Sequence, residues 1–132
     1  MTIPDFVAIQ VRVARPARNF EAVSAFYGTT LGLPVIASFG DHDGHDGVIF
    51  GLPDASRQLE ILQTDNAVPA PSSEDQLILY LGSPGRVEEM AARLRRHGHE
   101  PQLASNPYWE QNGAVCFVDP DGYWLILSPQ AW

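Results

Sequence analysis

The sequence predicts an α+β protein made of two tandem copies of one βαβββ plan, and three observations predict it. First, Gly47-Val-Ile-Phe-Gly-Leu-Pro-Asp54, leading into Leu59-Glu-Ile-Leu62, is echoed by Gly113-Ala-Val-Cys-Phe-Val-Asp-Pro-Asp121, leading into Leu125-Ile-Leu127. Each copy is an apolar β-type run, a Pro-Asp turn and a second apolar run, which reads as a hairpin. Second, each hairpin follows a strand-like run and a segment whose apolar residues recur at the helical period. Third, there are two copies of about sixty residues each, which makes a duplicated domain and not a solenoid. Two equivalent halves usually leave a cleft between them, and function is sought there.

Taken in order, Phe6 to Val13 is rich in β-branched residues and reads as the first strand. A connection, Arg15-Pro-Ala-Arg18, follows. Asn19 can cap a helix with apolar positions Phe20, Val23, Phe26, Tyr27 and Leu31, closed by Gly28 and Gly32. Leu33 to Phe39 is the next strand, and the polar loop from Gly40 to Gly47 turns into the first hairpin. Asn66 to Asp75 carries two prolines and little apolar content and is the linker between halves. In the second half, Leu77 to Leu81 is a strand and Arg86 to His97 a helix with Val87, Met90, Ala91 and Leu94 on one face. Gly98 is a natural residue after the helix end. A short strand around Pro101 to Ala104, the loop Ser105 to Gly113 and the second hairpin complete the plan. The chain is thus one domain, residues 1–132, with module one at about 1–65, the linker at about 66–75 and module two at about 76–132.

The bulk numbers exclude several functions. At 132 residues and 45% hydrophobic content the chain can bury a real core. Its formal net charge is −8, from 8 Lys+Arg against 16 Asp+Glu, which argues against nucleic acid as a partner. No apolar run is long enough to span a bilayer, and no leader-like pattern opens the sequence. One cysteine, Cys116, excludes an intrachain disulfide and fits a reducing interior, so the expected location is the cytoplasm.

This order, with Ala25-Phe-Tyr-Gly-Thr-Thr-Leu-Gly-Leu-Pro34 ending the first helix and Asp119-Pro-Asp-Gly-Tyr123 before the last strand, resembles the vicinal oxygen chelate superfamily. That group contains glyoxalase I, extradiol dioxygenases, and fosfomycin- and bleomycin-resistance proteins. The Asn106-Pro-Tyr-Trp109 loop and the Arg12-Val-Ala-Arg-Pro16 segment look most like a small bacterial glyoxalase-like subgroup. The resemblance implies two modules forming a curved, cup-like mixed sheet with helices outside. It also implies four metal-ligand positions, which fall here on Ala8, Glu60, Gln76 and Ile126. Alanine and isoleucine have no ligating atom, and an amide is a weaker ligand than imidazole or carboxylate. A metal-dependent reading is therefore disfavoured, with Glu60 and Gln76 as partial positions, and no cofactor is expected.

Strand alternation puts Ala8, Gln10 and Arg12 on the cup face of the first strand, with Val11 and Val13 under the helices. By the same rule Gln58, Glu60, Leu62, Gln76, Ile78, Tyr80, Trp124 and Ile126 face the cup. Arg12 matches an arginine that in glyoxalase I contacts the substrate's carboxylate; it could equally pair with Glu60 as a structural ion pair. Glu60 is the best candidate for a general base, weighed against a purely paired carboxylate. Asn106, Tyr108 and Trp109 suit a ligand rim or an interface anchor, or else rings that cap the core. His42 and His45 read as a solvated hairpin tip and Cys116 as a small core residue. The expected ligand-binding set is Gln10, Arg12, Glu60, Gln76, Tyr80, Asn106, Tyr108, Trp109 and Trp124. The function expected is binding of a small organic molecule in the cup of a homodimer whose cups the Asn106–Trp109 loop completes. The alternative is a divergent lyase, isomerase or dioxygenase-type enzyme using Glu60.

Overall fold

In a computed structural model, which describes residues 8–42 and 45–132, the duplication appears as two sheets with matching connectivity. Module one runs β1 (Val11–Pro16), α1 (Phe20–Ala25), β2 (Val35–His42), β3 (His45–Gly51) and β4 (Arg57–Thr64). Its strands lie in the order β1-β4-β3-β2, with β1 parallel to β4 and the hairpins antiparallel. Module two runs β5 (Gln76–Tyr80), α2 (Pro84–Arg96), α3 (Tyr108–Gln111), β6 (Val115–Val118) and β7 (Trp124–Ser128). Its order is β5-β7-β6, with β5 parallel to β7. The strand expected around Pro101 to Ala104 is reduced to one bridge, Gln102 to Cys116. With that bridge the order of module two repeats that of module one.

The first helix starts where the sequence places it, and the second starts at Pro84, two residues before the expected Arg86, because Ser83 caps it and proline fits the first helical position. The Asn19 side chain accepts from the Ala22 N–H at 3.1 Å, and Ser83 accepts from Arg86 N–H at 3.3 Å with Pro84 just inside the helix. The first helix departs from regularity. After Ala25 it widens into a π-helical segment, Phe26–Thr30, whose Phe26, Tyr27 and Thr30 are buried. Arg93 of α2 donates to the Thr30 and Thr29 carbonyls at 2.7 and 3.0 Å, so module two satisfies the end of the module-one helix. Gly32 follows at φ +90°, and a Cβ there would meet the Arg93 guanidinium at 3.0 Å. Both the left-handed backbone and the clamp require glycine.

One apolar core serves both modules. Val23, Phe26, Tyr27 and Leu31 pack with Phe50, Leu59 and Ile61 of sheet one, and with Val87, Ala91, Leu94, Phe117, Leu125 and Leu127 of module two. A second cluster, Trp109, Ala114, Cys116 and Ile126, covers the opposite face of sheet two. Val11 and Val13 share the helix-facing side of sheet one with Leu59, as alternation requires, but they are 54% and 52% exposed. The expectation that they pack under the helices fails because β1 is an edge strand lying beyond the helical cover.

Candidate functional site

The open face of sheet one carries a built polar triad. Register pairs Arg12 with Gln58 and Ala14 with Glu60, so Arg12, Gln58 and Glu60 point to the same side. The Arg12 Nε–H donates to Gln58 Oε1 at 2.8 Å, and Nη1 donates to Glu60 Oε1 at 3.4 Å. Gln58 is itself held by its Nε2–H to the Ala55 carbonyl at 2.8 Å. Gln58 and Glu60 are buried, whereas the Arg12 side chain is 45% exposed. The two partners orient the guanidinium, and its other donors face outward.

On sheet two the same face is filled with rings. Trp109 is buried against Ala114, Cys116 and Ile126, with Tyr108, Trp124 and Ile78 packed alongside. Tyr108 and Trp109 meet edge to face at 5.1 Å, and the Tyr108 hydroxyl donates to Gln130 Oε1 at 3.1 Å. The rings therefore cap the apolar sheet, the second of the two roles open to this loop. Asn106 is exposed and accepts from the Tyr108 N–H at 3.0 Å, which turns the chain into α3. Cys116 is buried, and its thiol donates to Glu110 Oε2 at 3.3 Å. Burial, then that hydrogen bond and the Glu110 charge, push the thiol up to about 12, so it stays protonated and inert.

The remaining expected residues are dispersed. Gln10 is exposed just before β1. Gln76 donates to Glu74 Oε2 at 3.3 Å and to the Ser73 carbonyl at 3.4 Å. Tyr80 is 42% exposed beside a cavity on the outer edge of β5. Ile126 is fully buried in the apolar cluster. His45 approaches Asn66 across the hairpin, while residues 43–44 of that loop lie outside the described residues. Among the described residues no hydrogen bond, ion pair or ring contact joins the Arg12 triad to the Trp109 cluster.

A polar joint between modules was not anticipated. The fully buried Tyr27 hydroxyl donates to Asp119 Oδ2 at 2.6 Å and accepts from Arg15 Nη1 at 3.3 Å. Asp119 Oδ1 accepts from the Asp121 and Tyr123 N–H groups at 2.8 and 3.0 Å, and Arg15 lies over the Tyr123 ring at 4.4 Å. Burial first, then the Asp119 charge, holds the Tyr27 phenol well above its ordinary range. The Asp-Pro-Asp-Gly-Tyr turn was visible as a motif, but its partner on the first helix was not.

These paired βαβββ modules define a glyoxalase-type domain of the vicinal oxygen chelate class. Within it the chain belongs to the YycE-like family, whose N-terminal domain matches residues 11–62 and whose C-terminal domain matches residues 74–128. An uncharacterized protein YycE of Bacillus subtilis is 35% identical over 125 residues, spanning 93% of this chain and 89% of that protein. A crystal structure of a Bacillus subtilis YycE protein superposes with a TM-score of 0.90 at 30% identity, covering 100% of this chain and 97% of that one. It is described as of unknown function and as a candidate glyoxalase/fosfomycin resistance protein. The antibiotic binding protein TnmS3 of a Streptomyces species is similar in fold alone, with a TM-score of 0.69 at 21% identity over 96% of this chain and 98% of that one. A glyoxalase/bleomycin resistance protein, also from Streptomyces, shares the fold with a TM-score of 0.64 at 22% identity, over 90% and 98% of the two chains.

Proposed function

We propose that this protein binds a small organic molecule in a cup of which the Arg12–Gln58–Glu60 face is one wall, without metal chemistry. The observation that carries the reading is the half-exposed Arg12 guanidinium held by two buried partners. A donor already fixed in place loses little freedom on binding, which favours a ligand carrying acceptor oxygens. Similarity of fold to an antibiotic binding protein is in keeping with binding as the task.

The residues do not fit a divalent ion. Of the four family positions, Ala8 and Ile126 have no ligating atom, Glu60 is engaged by Arg12, and Gln76 lies on the other sheet. Among the described residues no three His, Cys, Asp or Glu side chains are grouped to hold a metal. Glu60 serves the Arg12 guanidinium rather than acting as a base.

The working unit is a homodimer in a reducing compartment such as the cytoplasm. The exposed Ile9, Val11 and Val13 at the free edge of β1 support an interface there, since contiguous exposed apolar surface marks association sites. Native mass spectrometry, elemental analysis and sedimentation test these readings together. Wild type should sediment as a dimer and retain a small-molecule mass that Arg12→Ala loses. One Zn, Ni, Mn or Fe per chain, lost with Glu60→Ala, would overturn the metal-free reading.

A further inference from the structure

A cavity apart from the Arg12 face lies where the two modules meet along β5. It has a volume of about 630 Å³, within the range of roughly 300–1,000 Å³ usual for small-molecule sites. Its wall is built by Leu33 after the first helix, Leu52 of the β3–β4 turn, Leu77 and Leu79 of β5, Leu81 just after it, and Met90 of α2. Among the described residues no strand pairs with the outer edge of β5, which ends its sheet.

Two lining residues break the apolar character. Tyr80 brings a hydroxyl, and Arg57 is the one charged side chain among the described residues that line the cavity. Arg57 is weakly committed. Its contact to Asp54 is 3.9 Å with both side chains more than half exposed, and the Asp54 carboxylate already accepts from the Ser56 N–H and hydroxyl. In a chain of net charge −8, a lone uncommitted guanidinium at the mouth of a leucine-walled cavity is complementary to a single anionic group on an apolar body.

We propose that this cavity binds an amphipathic carboxylate of medium chain length, its hydrocarbon against the leucine wall and its carboxylate on Arg57, with Tyr80 as a further donor. The cavity is concave and is walled by the ends of several elements, which suits a small ligand better than the flat face of a protein partner. This site is independent of the Arg12 reading.

The test is isothermal titration of the full chain with octanoate, decanoate and decanol, each below its aggregation concentration. Decanoate should bind about fifteenfold more tightly than octanoate, since each of its two extra buried methylenes strengthens binding roughly fourfold. Arg57→Gln, at an exposed position that keeps the fold, should weaken decanoate about fivefold and leave decanol unchanged. Met90→Trp, which fills the cavity, should abolish both, with a circular dichroism spectrum and thermal melt to verify folding. Arg12→Gln should leave decanoate binding intact. Three outcomes overturn the proposal: no saturable decanoate binding, binding indifferent to Arg57→Gln, or binding lost with Arg12→Gln, which would move the carboxylate to the β1–β4 face. A wild-type dimer that ignores decanoate and dissociates in folded Met90→Trp would also overturn it, giving the cavity to a second copy.

Discussion

In module one the second strand runs eight residues, Val35–His42, and returns at once through β3; in module two its counterpart is the single bridge at Gln102. The segment 103–114 that replaces the strand folds over sheet two and lays Trp109 on Cys116 and Ile126. Glu110 Oε2 accepts from the Ala104 N–H at 3.4 Å and from the Cys116 thiol, so a carboxylate satisfies groups at the point where strand pairing stops. Among the described residues no such segment follows β2, and on the equivalent face of sheet one a half-exposed Arg12 lies over the buried Gln58 and Glu60. The two halves share one plan, and a dozen residues between the same pair of strands turned one face into apolar core, while the other keeps a polar triad with Arg12 at the surface. The repeat sets the scaffold, and the insert sets which half can meet a ligand.

The sharpest way to break this comparison is Trp109→Ala. If the ring is core, truncation should cost about 3–5 kcal/mol in urea unfolding, as for a buried aromatic. A loss below about 1 kcal/mol would return the ring to a ligand rim. Next in size is Tyr27→Phe, which removes the hydroxyl joining the modules and leaves Asp119 Oδ2 short of a donor. We expect a loss of about 2 kcal/mol in the same measurement, with Phe117 and Phe50 still packed.

Alkaline pH should act through both modules. Tyr27 and Cys116 hold their protons more tightly folded than unfolded. The Cys116 contribution is therefore complete below the ordinary thiol value of 9.0 and is lost as pH rises towards about 12, and that of Tyr27 is complete below the ordinary phenol value of 10.0 and is lost at higher pH still. Urea midpoints followed from pH 7 upward should fall, and Cys116→Ala should flatten the early part of that fall. A midpoint constant to about pH 11 would contradict the assignment. The smallest effect belongs to the open face. Arg12→Ala should change stability by less than about 1 kcal/mol, because its ion pair is half-exposed. A much larger loss would make the triad structural.

Both hairpins and the Asn19 cap were legible in the residues, since they rest on local rules of period and turn chemistry. Arg12, Gln58 and Glu60 were also readable as neighbours, because alternation assigns faces once the strands are known. Other features were not. Val11 and Val13 follow the period of a covered strand yet lie in the open, since their exposure depends on how far the helices reach. The π-helical turn depends on Arg93, sixty-three positions from Thr30 in the chain. The contact of Tyr27 with Asp119 spans ninety-two positions, and nothing local to either residue announces the other.

What the sequence by itself determined is the duplicated βαβββ order and the placement of polar residues on one strand face, because periodicity and turn residues act over a few positions. Only the tertiary structure decided that the Trp109 segment closes the face of one sheet while the other keeps Arg12 half-exposed on its face. It alone also brought Leu33, Leu52, Met90 and β5 around one cavity. Those outcomes depend on which distant surfaces pack together, and packing is set by the whole chain at once.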